Sequence, residues 1–155
     1  MAETLRELEG FEEDGRLRAI RLARGISRLL GSLGFSSVHE FVLPTGRRVD
    51  VAGLGAKGEL VFVEIKTSLA DFRSDFKWES YCEFCDRFFF AVPDDFPQAV
   101  LPEEVGLIIA DPYGGAILRE APAWSLAGAR RKAMLLRFAH HAAARLQRVI
   151  DPELG

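Results

Sequence analysis

The chain has 155 residues, 48% hydrophobic and 28% charged, with a formal net charge of −3 and only two cysteines. That length can bury one real core but has no room for a second full domain, and two cysteines exclude a disulfide framework. No apolar run of about 18 residues and no signal-peptide core occurs, so neither a membrane span nor an export signal is expected, and a cytoplasmic protein is the simplest reading.

Residues 1–14 hold Glu3, Glu7, Glu9, Glu12, Glu13 and Asp14 against Arg6 alone. This acidic leader is expected to be at most a short frayed helix outside the core, with a single domain over 15–155. Without the leader the chain has 19 basic and 17 acidic residues. From Gly15 to His39 there is no acid, while Arg16, Arg18, Arg21, Arg24 and Arg28 are present. Such a stripe either solvates a helix face or tracks phosphates. The first core helix is expected over Arg16–Leu33, with Leu17, Ile20, Ala23, Ile26, Leu30 and Leu33 as its apolar side and Gly34 as its stop. A first strand follows at Val38–Leu43, closed by Pro44, Thr45 and Gly46.

Residues 48–66, RVDVAGLGAKGELVFVEIK, read as two strands around a glycine turn drawn from Gly53, Gly55 and Gly58. Period-two alternation sets Val61, Val63 and Ile65 on one face and Phe62, Glu64 and Lys66 on the other. The same parity sets Val49 and Val51 opposite Asp50, and antiparallel pairing would bring Asp50 close to Glu64. Two converging carboxylates make an oxygen-ligand site suited to Mg²⁺ or Mn²⁺. A cation held there can activate water and neutralise charge on a scissile phosphate, while Lys66 orients the attacking water or stabilises the transition state. A Glu-x-Lys on a strand is, by itself, more often a solvated ion pair; the flanking Leu60, Val61, Phe62, Val63 and Ile65 mark a buried strand, where charges need partners.

Further along, a second helix is expected over Asp71–Cys85, with Asp71 as N-cap and Phe72, Phe76, Tyr81 and Phe84 as an aromatic side. Lys77 and Tyr81, four apart, share a face. Trp78 reads as core or interface. Strands are expected at Arg87–Val92, Gly106–Ala110 and Ala116–Glu120, then a long helix over Ala123–Ile150. That helix carries Arg130, Arg131, Lys132, Arg137, Arg145 and Arg148 with His140 and His141, read as solvent-facing, and no acid before Asp151. Its Leu135, Leu136, Phe138 and Leu146 either seal the core or offer an interface; sealing is preferred. Cys82 and Cys85 form a C-x-x-C near a helix C-terminus, the wrong end for a thioredoxin-like pair, and the three histidines do not complete a zinc site; ordinary buried thiols are expected. Motifs for a P-loop, a nucleophile elbow or a dinucleotide fold are absent.

An Asp followed by Glu-x-Lys across a hairpin, here Asp50, Glu64 and Lys66, resembles the core signature of the PD-(D/E)XK nuclease superfamily. More narrowly, EIKTSLADFRSDFKWESYCEFCDRFFFAVP is similar to the MmcB-type bacterial DNA repair proteins, and the similarity extends over the chain from Arg16 onward. The resemblance implies a restriction-endonuclease-like αβββαβ core, a mixed sheet flanked by helices, and metal-dependent hydrolysis of phosphodiester bonds in damaged or branched DNA. It implies Asp50 and Glu64 as metal ligands, the Ile65 carbonyl as a further one and Lys66 as the catalytic lysine. Lys77 and Tyr81 look like a variant of the Gln-x-x-x-Tyr pair by which RecB-like members position DNA, and Arg47 and Arg48 join them as nucleic-acid-binding residues. Two departures stand out. Val49 replaces the motif's proline, and the glutamate many members take from their first helix is missing from 16–33, leaving Glu12, Glu13 or Glu40 as substitutes, or a site with two side-chain ligands. The competing expectation is a non-catalytic DNA-binding or adaptor protein that keeps the fold; RNA as substrate is a third. DNA, other repair proteins and a second copy of the chain are the partners considered, with no membrane.

Overall fold

The computed structural model describes the backbone of residues 2–73 and 78–154 and the side chains of 14–73 and 78–154. Its elements run α1 (Ala2–Ser32), β1 (Phe35–Val42), β2 (Arg48–Gly55), β3 (Leu60–Ile65), α2 (Leu69–Arg73), α3 (Glu79–Cys82), β4 (Arg87–Val92), β5 (Gly106–Asp111), β6 (Gly114–Arg119) and α4 (Gly128–Ile150). The six strands form one mixed sheet in sequential order. β1, β2 and β3 are antiparallel, β3, β4 and β5 run parallel, and β6 returns antiparallel on β5.

Two buried clusters place the sheet between helical layers. On one side Leu22, Ala23, Ile26 and Leu30 of α1 pack on Val51, Val61, Val63, Ile65 and Ile108. On the other, Met134 and Phe138 of α4 pack with Phe41, Phe62, Tyr81, Phe88 and Phe90. The alternation read in β3 therefore holds, and all six of its residues are buried because both faces are covered. The apolar stripe of α1 is offset from the expected one: Leu17, Ile20 and Leu33 are exposed, and Leu22 takes their place in the core. Gly25 sets the distance of α1, since a Cβ there would meet the Asp111 carbonyl oxygen of the β5–β6 hairpin at 1.7 Å.

Several boundaries differ from expectation. α1 begins at Ala2, because acidic residues in the first turns suit the positive end of the helix dipole and nothing in the leader stops the helix. β1 starts three residues earlier and α4 five residues later than expected. Gly53 and Gly55 belong to β2; the turn is 56–59, where Gly58 has φ +89° and its N–H donates to the Gly55 carbonyl at 3.0 Å. The expected helix Asp71–Cys85 is described as two short pieces, α2 and α3, and Asp75, Phe76 and Lys77 lie outside the described residues. In α4, Met134 and Phe138 seal the core, whereas Leu136 and Leu146 are exposed.

β1 and β2 are irregular next to Asp50. Glu40 has φ +51°, and the β1–β2 register pairs His39 with Val51 and Phe41 with Val49 around it. Alternation is lost there: Val49 packs in the α4-side cluster and Val51 in the α1-side cluster, although both were expected on one face. An irregular residue of this kind bends a strand and re-aims its neighbours.

Candidate functional site

The β2–β3 ladder is paired only from Leu54↔Leu60 to Val51↔Val63. Beyond that point the strands part, and side chains replace the missing ladder bonds. The Ile65 N–H donates to Asp50 Oδ2 at 2.7 Å, and the Asp50 N–H donates to Glu64 Oε1 at 2.9 Å. The two carboxylates predicted to converge are thus cross-laced through each other's strands, at the carboxyl end of β3, where open α/β sheets hold their ligands. Glu64 is only 5% exposed, as is Lys66.

Lys66 follows the last residue of β3, and its N–H donates to the Ala91 carbonyl at 3.0 Å, which continues the parallel pairing with β4. Its Nζ lies 3.9 Å from Asp71 Oδ1. Asp71 was expected as a helix cap. Instead Ser68 Oγ accepts the Asp71 N–H at 3.1 Å, while Asp71 Oδ2 accepts the Thr67 N–H at 3.1 Å, so Ser68 caps α2 and the Asp71 carboxylate reaches back towards the end of β3 and the lysine. The Ser-x-x-Asp spacing in the sequence is the signal that could have revealed this. Together Asp50, Glu64, Lys66 and Asp71 line a cleft of about 500 Å³ whose other wall is Gly15, Arg16 and Ala19 of α1.

Burial raises the Asp50 carboxyl above its ordinary value; the Ile65 N–H, Lys66 and a hydrogen bond with Glu64 oppose that effect, and Asp71 adds to it. Ionised Asp50 is therefore costly, and a cation would relieve the cost. The donors are carboxylate oxygens, which fits a hard divalent ion that retains waters. Among the described residues no group of three or more His, Cys, Asp and Glu side chains is placed to hold a metal. The side chains of Glu12 and Glu13 lie outside the described residues, and Glu40 is exposed, lining a different cleft beside α4. Ile65 contributes its amide to Asp50, while its side chain packs beneath α1.

The other candidates divide. Tyr81 is in the core: it is 5% exposed, stacks on Phe88 at 5.9 Å, and its hydroxyl donates to the Arg48 carbonyl at 3.5 Å. Trp78 also stacks on Phe88. Lys77 lies outside the described residues. Arg48 is exposed but lines the cleft beside α4 rather than that of Asp50, and the Arg47 carbonyl accepts the Leu43 N–H across the β1–β2 turn.

Part of the basic stripe fastens α4 to the sheet. Arg131 donates to both oxygens of buried Asp86, at 2.6 and 2.8 Å, and to the Gly58 carbonyl at 2.7 Å. Asp86 Oδ2 also accepts the Leu60 N–H at 2.8 Å. Burial pushes the Asp86 carboxyl up, but the Arg131 and Leu60 hydrogen bonds outweigh it and hold the group below its ordinary value. Arg130 sits over the Phe84 ring at 5.2 Å. His141, read from sequence as solvent-facing, lies edge-on to Phe41 at 5.4 Å, and burial and Arg145 lower its pKa. Cys82 and Cys85 are free thiols, as expected; burial, helped by Glu79, pushes Cys82 up to about 11, and burial raises Cys85 well above the ordinary range. No helix among the described residues is long and apolar enough to cross a membrane.

The model of the MmcB-like DNA repair proteins matches residues 11–153. A solved structure titled as SPO1766, a protein of unknown function from Silicibacter pomeroyi, is similar at 54% identity and a TM-score of 0.85, over 88% of this chain and 93% of that one. No curated protein matches.

Proposed function

This chain belongs to the MmcB-like family of DNA repair proteins, and on that premise we propose that it is a nuclease-like protein that hydrolyses phosphodiester bonds in damaged or branched DNA. The observation that carries the reading is the cross-laced pair Asp50 and Glu64 in one cleft with buried Lys66. Sheet order and helical layers are compatible with the restriction-endonuclease-like core expected for such a site.

Asp50 and Glu64, with the Ile65 carbonyl, would hold Mg²⁺ or Mn²⁺; of the sequence's candidates for a third carboxylate, Glu12 and Glu13 remain, since Glu40 lines a different cleft. When bound, the cation supplies Lewis-acid charge neutralisation and a more acidic water. Lys66, with Asp71 beside its ammonium, orients the attacking water or stabilises the charge that grows on the phosphate oxygens. Arg16 on the facing wall binds the flanking phosphate. Among the described residues the cleft offers charged groups suited to phosphates and no separate element for reading base edges, which supports cutting by DNA shape rather than sequence.

A second reading, a non-catalytic DNA-binding or adaptor protein, is favoured by the two-carboxylate donor set among the described residues. Cleavage of single-stranded, duplex, flap and four-way-junction DNA in Mg²⁺ or Mn²⁺ separates the two, with Asp50→Ala and Lys66→Ala prepared alongside. Cleavage abolished in both variants supports the nuclease. No cleavage by the native protein, with DNA binding unchanged in both variants, sinks it and leaves the binding role.

A further inference from the structure

A second cleft, of about 700 Å³, lies between the edge strand β1 and α4, whereas the carboxylate cleft is walled by α1. Its lining is strongly one-signed. Arg48, Arg137, Arg145 and Arg148 face it against a single acid, Glu40, with exposed Leu136 among them. Arg137, Arg145 and Arg148 span eleven residues of α4, about 16 Å at 1.5 Å per residue. That is the axial length of about five nucleotides at 3.4 Å per step.

Two of these arginines are already oriented. Arg145 Nη2 donates to the Glu40 carbonyl at 3.0 Å and Arg137 Nη1 to the Val42 carbonyl at 3.3 Å. These bonds cover the open edge of β1 and anchor each guanidinium through one of its five N–H donors beside the groove that both residues line. An anchored guanidinium loses less freedom on taking a phosphate than a free one. Glu40 is the one acid among these arginines: burial lowers the pKa of Arg145, Glu40 raises it, and Arg148 lowers it by less. Arg145 also lowers the pKa of His39 and His141, after burial.

Arg48 links this groove to the site. It opens β2 two residues before Asp50, about 7 Å of strand away. We propose that the β1–α4 groove binds the phosphate backbone of DNA and carries the stretch of strand that lies beyond the Asp50–Glu64 cleft. The proposal rests on DNA as the substrate class in the reading above, and it applies whether or not the strand is cut.

The test is fluorescence anisotropy of a labelled single-stranded oligonucleotide with the full chain, without divalent cation, over a series of salt concentrations. The double variant Arg48→Gln/Arg148→Gln avoids the two arginines that fasten β1, and its melting temperature checks that it folds. An α1 pair, Arg21→Gln/Arg24→Gln, removes the same charge elsewhere. The groove variant is expected to lose at least about tenfold in affinity, with the slope of log K against log salt reduced by about 1.4 for two phosphate contacts on a single strand. Affinity and slope equal to the native protein, or an equal loss in the α1 pair, overturn the groove. A native protein that binds no DNA at any salt overturns the reading beneath it as well, an outcome distinct from the first.

Discussion

Asp50→Asn is expected to make the protein more stable and less able to bind metal. The native carboxylate accepts the Ile65 N–H at 2.7 Å and lies in hydrogen-bond reach of Glu64, so two acids share one half-buried site. An asparagine keeps the acceptor for Ile65 and offers its NH₂ to the Glu64 carboxylate. That exchanges the cost of burying an ionised Asp50 carboxyl for a neutral amide that donates a hydrogen bond to a charged group, about 1.5–3 kcal/mol in favourable geometry; with imperfect alignment about 1–2 kcal/mol is expected. In a domain of this size each kcal/mol moves the melting temperature by about 2–4 °C, giving a rise of about 2–8 °C. The sign depends on pH. Because the folded Asp50 carboxyl lies above its ordinary 3.8, its stabilising form is the protonated one: that contribution is full below the ordinary value and lost as pH rises through the raised one. The advantage of asparagine is therefore absent in acid and complete at neutral pH. Mg²⁺ acts in the opposite direction, stabilising the native protein by about 1.4 kcal/mol at ten times its dissociation constant and leaving Asp50→Asn unmoved. Differential scanning fluorimetry at acid and neutral pH, with and without Mg²⁺, reads all four conditions. A variant that melts lower than the native protein without metal at neutral pH, and keeps the Mg²⁺ shift, refutes the reasoning.

Other substitutions test the frame that holds this site. Asp86→Ala leaves the Arg131 guanidinium and the Leu60 N–H without their partner, and urea unfolding is expected to show a loss of about 3–5 kcal/mol. Since Asp86 is held below its ordinary value, its contribution is present above that value and lost as pH falls through the lower folded one; the variant should lack this acid step. Glu40→Gly should match or exceed native stability by up to about 1 kcal/mol, because glycine carries no penalty at φ +51°, whereas Glu40→Val should lose about 1–2 kcal/mol. Alkylation of Cys82 should stay slow at neutral pH and accelerate until about pH 11, with Cys85 slower still; a fast thiol at pH 7 would contradict the burial.

The sequence alone determined what depends on local periodicity and on side-chain chemistry. Alternation in Leu60–Ile65 marked a strand that the sheet buries on both faces, and the order of strands along the chain is their order in the sheet. The spacing of Asp50 and Glu64 across a glycine turn implied that they meet, and they do, within hydrogen-bond distance of each other's strands. Tertiary structure alone decided whatever depends on which partner arrives from a distance. Arg131 and Arg148 look alike in the sequence, yet a buried Asp86 claims the first as a fastening and the second lines a groove. Tyr81 kept its place on a helix and is buried in the core, where it stacks on Phe88 of β4. Asp71 changed from cap to neighbour of Lys66 because Ser68 took the cap. The positive φ of Glu40, and the placing of Val49 and Val51 in clusters on opposite faces of the sheet, have no glycine or proline to announce them; which face each valine takes depends on the helix that arrives there, α4 or α1, and no single stretch of sequence contains that.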